Sequence, residues 1–179
     1  MSTTSRKLRY IGDAFDIGVR SGPEQGAGVV SRTLMADLRL PACSPALLRQ
    51  HPIQNVADLR HQTLLHSAST RTAWSNWLVK AGASDVRAAR HVEFDHVHIQ
   101  LAAGVEGLGV TLASLPLIGR DIASGRLVCP IAAPTWRAAD YALVINADRA
   151  GDDAVMAFEH WITMMASREA GPFEPASRP

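Results

Sequence analysis

At 179 residues the chain is long enough for one domain, or two small lobes, with a sizeable core. Eighteen basic against seventeen acidic residues leave a formal net charge of +1, which excludes a broad electrostatic footprint for nucleic acid. Hydrophobic residues make up 47% and charged residues 20%, the balance of a soluble globular protein, and no apolar run reaches the roughly 18 residues a membrane span needs.

The amino-terminal stretch MSTTSRKLRY carries basic residues with no apolar run behind them, so it does not read as a secretory signal. Residues 1–13 are polar with weak periodicity. Phe15 to Gly22 (FDIGVRSG) reads as a short strand ending in a turn. The loop GPEQGAG that follows is glycine-rich but lacks the Gly-Lys-Ser/Thr of a phosphate-binding loop. Val29 to Ala42 reads as one long extended run. Ser44 then takes an N-cap position with Pro45 at N1, where the missing N–H costs nothing. Cys43 and Cys129 are far apart and form no Cys-x-x-Cys pair; each is expected as a buried, reduced thiol in a cytoplasmic protein.

Val56 to Leu59 reads as a helical turn before a short strand, Thr63 to His66, and the polar loop His66 to Arg71 leads into a helix over 73–81. On that helix Trp74, Trp77, Leu78 and Ala81 recur at i, i+3, i+4 and i+7, a core stripe rather than a platform for bases, and Gly82 closes it. Phe94 to Val110 (FDHVHIQLAAGVEGLGV) is a strand end, a helix and a new strand. Asp95 is the expected N-cap, Ile99, Ala102, Ala103 and Glu106 follow at helical spacing, and Gly107 supplies the left-handed stop. The helix therefore opens at the carboxyl end of a strand, where an open α/β sheet binds ligands and free N–H groups favour an anion. Further on come a helix from Pro116 to Ser124, a strand from Arg126 to Pro130 and a strand from Tyr141 to Ile145. Asp152 or Asp153 caps a last helix, with Val155, Phe158, Trp161, Ile162 and Met165 on one face. The tail GPFEPASRP reads as flexible. Strands alternating with helices argue for a mixed α/β architecture.

Catalytic patterns are missing. GVEGLG ends a helix instead of opening one, so it is not a dinucleotide fingerprint. There is no Gly-x-Ser-x-Gly, no His-Glu-x-x-His and no paired carboxylates at catalytic spacing. His96 and His98, with Asp95 or His91 near them, are weak metal candidates: in the first turn of a helix, residues i and i+2 do not share a face, and no third ligand has recognisable spacing. No metal or other cofactor and no enzymatic activity is expected.

Several of these stretches together resemble the effector-binding domain of LysR-type transcriptional regulators, in the subgroup around the glycine-cleavage activator. FDIGVRSG is similar to the family's FDxAIRxG, CSPALL is the family's own string, VADLRHQTLLH resembles ADLxxHxLLH, the Phe94 to Val110 stretch resembles FDHxHxxxQAxxAGLGV, and the strand in ASGRLVCP resembles LAxGRLVxP. The resemblance implies a two-lobed, type 2 periplasmic-binding-protein-like α/β fold. Residues 1–42 with 139–168 would form lobe I, 43–138 lobe II and 169–179 a tail. It also implies a small polar effector held in an interlobe cleft, with Arg20, Ser21, His66, Ser67, Ser69, Thr70, Phe94, His96, Val97, His98 and Tyr141 as the binding candidates. By the same comparison lobe I is truncated and the amino-terminal DNA-binding domain is absent. The expected partners are a small-molecule effector and a second copy or a partner regulator chain, with no membrane and with DNA reached only through the absent domain. Two other readings stand beside this one: an interaction module that pairs with full-length regulators, and a free-standing small-molecule-binding protein.

Overall fold

Two separate β-sheets organise the chain, one all antiparallel and one mixed. The computed structural model describes residues 15–23, 26–131 and 135–169. Among these, 15–37 with 137–169 form one compact unit and 38–136 a second. The expectations for residues 1–13, for Glu24 and Gln25 of the glycine-rich loop and for the tail lie outside the described residues.

The first unit is a sheet of β1 (Ile17–Ser21), β2 (Val29–Met35) and β8 (Tyr141–Asn146) in the order β1-β8-β2. Both pairings are antiparallel, with Val19 opposite Leu143 and Val30 opposite Ile145. The central strand is apolar on both faces: Ala142, Leu143, Val144 and Ile145 are all buried. Helix α5 (Asp153–Glu169) covers one face, where Val155 and Ile162 pack on Leu143 and Ile145. Asp152 stands at its cap, since its carbonyl accepts from Met156 N–H at 2.9 Å, while its carboxylate accepts from Arg149 Nε at 2.5 Å. Arg32 on β2 donates to Glu159 on α5 at 2.6 Å. The expected apolar face of this helix is split. Val155 is buried and Ile162 half-buried, but Phe158 and Trp161 are 40% and 51% exposed, their rings 5.5 Å apart.

The second sheet is made of β3 (Leu38–Ala42), β4 (Thr63–Ser67), β5 (Arg90–Phe94), β6 (Val110–Ser114) and the short β7 (Trp136–Arg137), whose Trp136 is the last residue of the second unit, in the order β5-β4-β6-β3-β7. β4 runs parallel to both β5 and β6, whereas β3 runs antiparallel to β6. Helices α1 (Pro45–Gln50), α2 (Ala73–Lys80), α3 (Val97–Val105) and α4 (Leu115–Ala123) supply the outer layers. Successive strand residues point to opposite faces. Leu112 accordingly joins a core of Trp74, Trp77, Leu78, Leu59 and Leu64, while Ala113 joins Ala42, Ile118 and Leu127. Burying a Leu such as Leu59 or Leu64 contributes about 1.5–3 kcal/mol.

Local signals explain several boundaries. Ser44 caps α1 through Leu47 N–H, with Pro45 inside the first turn. At the end of α3, Gly107 has φ +81°, its N–H donates to the Gly104 carbonyl, and Leu108 N–H donates to the Ala103 carbonyl. That is the paired bonding of a Schellman stop, which needs a left-handed residue at this position.

Other expectations change. The run over 29–42 is two strands: β2 ends at Met35, and β3, on the far side of Ala36 and Asp37, pairs with β6 in the other sheet. Residues 38–42 therefore lie in the second sheet, although the resemblance assigns them to lobe I. Asp95 does not cap α3; His96 takes the N-cap position, in extended conformation and without a side-chain cap bond. The buried face of α3 is Gln100, Ala103 and Gly104, while Ile99, Ala102 and Glu106 are exposed. Residues 126–130 are not a strand. Arg126 and Leu127 turn their amides to the Asp121 carbonyl, closing α4. Pro130 has no N–H to give. Only Val128 forms a β-bridge, exchanging both bonds with Cys43.

Candidate functional site

The parallel strands β4 and β5 end side by side, with Ser67 directly opposite Phe94. The chain leaves β4 in a 3-10 turn, Ala68–Thr70, and leaves β5 through Asp95 into α3. Ser67 is buried. Its Oγ accepts from Ser69 N–H at 3.4 Å and is 2.9 Å from Ser69 Oγ, so the two hydroxyls hold the turn, one donating to the other. Ser69 is exposed and Thr70 half-buried. Two and four residues past Phe94, His96 and His98 are exposed and their rings stack, with centroids 5.4 Å apart and planes at 13°. The expectation that they diverge fails because His96 is the extended N-cap residue and not part of the helical turn, so helix spacing does not apply between the two. Val97, between them, is half-buried. In the first turn of α3 the Ile99 and Gln100 amides donate to the His96 carbonyl, both at 3.2 Å, which leaves the Val97 and His98 amides as the free donors of a helix start. The edge thus offers hydroxyls, imidazoles and helix amides, a set suited to hydrogen-bonding a polar or anionic group.

This edge is held from behind. Gln100 Nε2 donates to the Leu65 carbonyl and to Thr111 Oγ1, both at 2.9 Å, and Trp74 Nε1 donates to the same Leu65 carbonyl at 3.0 Å. One carbonyl of β4 therefore ties α2 and α3 to the sheet. Sequence reading missed Gln100 because its partners are 35 and 11 residues away; its only local sign was a polar residue on the inner face of an apolar helix. Gly109 is a second support. A Cβ there would lie 2.4 Å from the Thr63 carbonyl oxygen, so only glycine lets β4 and the start of β6 approach.

His66 belongs elsewhere. Strand alternation turns it to the opposite face from Ser67. There its Nε2 is 2.8 Å from Nδ1 of His91, and both rings line a groove of about 330 Å³ with Leu64, Trp74 and Leu78. Burial, then the neighbouring His91 charge, pushes the His66 imidazole below its ordinary value, against a smaller upward pull from Glu93. Glu93 is gripped by Arg71 through Nε at 3.1 Å and Nη2 at 2.8 Å. Arg20, Ser21 and Tyr141 lie in the other unit: Ser21 pairs with Tyr141 at the end of β1, and Arg20 with Ala142. The eleven candidates thus fall into three places.

No group of three or more His, Cys, Asp or Glu among the described residues is placed to hold a metal ion. Cys43 is buried, Cys129 is half-buried, and both are unpaired; burial pushes both thiols up to about 12. No helix among the described residues is long and apolar enough to cross a membrane.

Such α/β units define an effector-domain architecture of the type 2 periplasmic-binding-protein-like class. The solved effector domain of the regulator AmpR from Pseudomonas aeruginosa superposes with a TM-score of 0.75 at 27% identity, over 92% of this chain and 77% of that one. The regulatory domain of CrgA from Neisseria meningitidis shares the fold, with a TM-score of 0.76 over 90% of this chain and 81% of that one, at 21% identity. The family model for the LysR substrate binding domain matches residues 3–166, and the chain belongs to that family. The glycine cleavage system transcriptional activator of Escherichia coli K12 is 31% identical over 174 residues, which is 97% of this chain and 57% of that protein. The chain thus spans little more than half the length of that relative. These relatives are transcriptional regulators.

Proposed function

We propose that this chain is the effector-sensing part of a LysR-type transcriptional regulator acting in the cytoplasm, and that it binds a small polar molecule to regulate transcription. The observation that carries the reading is the Ser67–Phe94 pairing, which brings the Ser67–Ser69 turn beside the uncapped start of α3. Ser67, Ser69, Thr70, Phe94, His96, Val97 and His98 form the proposed contact edge on the second unit. The family resemblance adds Arg20, Ser21 and Tyr141 as contacts from the first unit, across an interlobe cleft. His66 reaches the effector only indirectly, through the strand it shares with Ser67.

An effector acts by preferring one arrangement of the domain over another, so its leverage equals its differential affinity. DNA contact belongs to other parts of a full regulator, and a second copy or partner regulator chain is the proposed assembly. The exposed Phe158 and Trp161 on α5 favour that assembly.

The test is a titration of the labelled chain with a panel of small amino acids, hydroxy acids and dicarboxylates, read by amide resonances. The expected hit moves residues 67–70 and 94–98 together and loses affinity in Ser67→Ala and His98→Ala. A panel in which every ligand leaves these resonances unmoved overturns the reading.

A further inference from the structure

We propose that the groove walled by α2, β4 and β5 is a second ligand site, for a small carboxylate with a compact apolar body, received at its polar end by the His66–His91 pair. The site does not depend on the effector reading, because neither Ser67, Phe94 nor His98 lines it.

The groove has the make-up of a small-molecule site. Its volume, about 330 Å³, falls in the range of about 300–1,000 Å³ typical of ligand pockets. Its floor is apolar and well packed: Leu64, Trp74, Leu78 and Val86 are all at most 8% exposed. Its polar lining includes two imidazoles and two guanidiniums, with no carboxylate. Apolar floor and cationic rim together match an anion on an apolar body better than a neutral or cationic ligand.

The imidazole pair explains why a carboxylate in particular fits. With both rings neutral, whichever one donates the bridging proton, the outer nitrogens are one donor and one acceptor. One added proton makes both outer nitrogens donors and keeps the 2.8 Å bridge. A carboxylate only accepts, so it selects the protonated pair, and binding takes up as much as one proton. The charged groups facing the pair are Arg71 from the turn before α2, Glu93 from β5 and Arg87 from the loop after α2. Glu93 favours the protonated pair but is held by Arg71, while Arg87 fixes Nη1 on the Ser84 and Val86 carbonyls with its charge at the rim. From α2 itself the lining residues are Trp74, Ser75, Leu78 and Val79, none of which is charged.

The experiment uses the full chain labelled with nitrogen-15 and titrated with phenylacetate, with acetate and benzyl alcohol as probes lacking the ring or the charge. Saturable shifts are expected at Trp74, Val79 and His91, with affinity at about pH 5.5 exceeding that at about pH 7.5 by roughly fivefold or more. Acetate and benzyl alcohol are expected not to saturate over the same range. Val79, 66% exposed at the rim, tolerates a charge without harm to folding, so Val79→Glu is expected to weaken phenylacetate about tenfold by repulsion. Ser67→Ala is expected to leave the affinity unchanged. The proposal is overturned by an absence of saturable shifts in the groove, by shifts confined to residues 67–70 and 94–98, by equal affinity at the two pH values, or by an unaltered Val79→Glu.

Discussion

Gln100 and Leu65 are joined across the inside of the second unit, the amide of one helix donating at 2.9 Å to the carbonyl of the central parallel strand. The second Gln100 donor reaches Thr111 on the other neighbouring strand, so a single side chain links β4, β6 and α3. Replacing it with leucine keeps the bulk and leaves Thr111 Oγ1 without this donor. Gln100→Leu is expected to lose about 1–3 kcal/mol of stability, the cost of unpaired buried polar groups. Urea unfolding checks this, with the midpoint falling and the slope unchanged.

Two glycines give an internal comparison. Gly109→Ala would bring a methyl group within 2.4 Å of the Thr63 carbonyl, a backbone atom that cannot swing aside. It is expected to cost more than about 2 kcal/mol through strand displacement, as overpacking does. Gly119, inside α4, has nothing within 4 Å of the same methyl. Gly119→Ala is expected to stabilise by roughly 0.5–1 kcal/mol, the helix preference of alanine. Melting curves moving in opposite directions would show that close approach, rather than glycine itself, matters at 109.

What the sequence discloses here is mostly what is local. The stripe of Trp74, Trp77 and Leu78, the cap at Ser44 and the stop at Gly107 each depend on residues within a few positions, and each is found in place. The helix start at His96 is misread because a good capping residue one position earlier makes no cap bond. Residues 126–130 are misread as a strand because the amides of Arg126 and Leu127 go to the Asp121 carbonyl and not to a neighbouring strand. Ser67 and His66, adjacent in sequence, both look like loop-facing polar residues; only the strand running through Ser67 separates them to two faces. His91 and Gln100 acquire their roles from partners 25 and 35 residues away, which no local pattern encodes.

Acid should loosen the fold through His66. Its imidazole is held below the ordinary value of 6.5, first by burial and then by the His91 charge. Unfolding restores the ordinary value, so between the two the unfolded chain binds more protons and stability rises with pH. The contribution is complete above the unfolded value and is lost as the pH falls toward the folded one. The melting temperature is expected to fall between about pH 7.5 and pH 5.5, and to fall less in His66→Phe, which carries no titrating ring there. Equal pH slopes in the two proteins would assign the effect to another group.

The two thiols should be silent in the native protein. Cys43 and Cys129 are held as neutral thiols, with values pushed up to about 12 by burial. The thiolate is the nucleophile, so alkylation at about pH 8 is expected to be slow and to accelerate only as the chain unfolds. Labelling with iodoacetamide along a urea gradient, followed by mass, checks this. The rise in modification is expected to track the loss of circular dichroism, and rapid labelling of Cys43 without urea would contradict its burial.

Helix α5 carries an apolar surface that its own unit leaves uncovered. Val155 and Ala166 are 5% and 4% exposed, yet Met156, Phe158, Trp161 and Met164 range from 38% to 51%. An aromatic pair flanked by two methionines is the composition that interface cores favour over ordinary surface. The pair takes no part in the packing of Val155 and Ile162 on β8, so charge can be placed on it without opening the core. The double change Phe158→Lys and Trp161→Lys is expected to keep the melting temperature within a few degrees and to shift the chain toward monomer. Sedimentation velocity over a concentration series checks it. A wild-type chain that already sediments as a monomer at every concentration would show that this face is not a contact between copies.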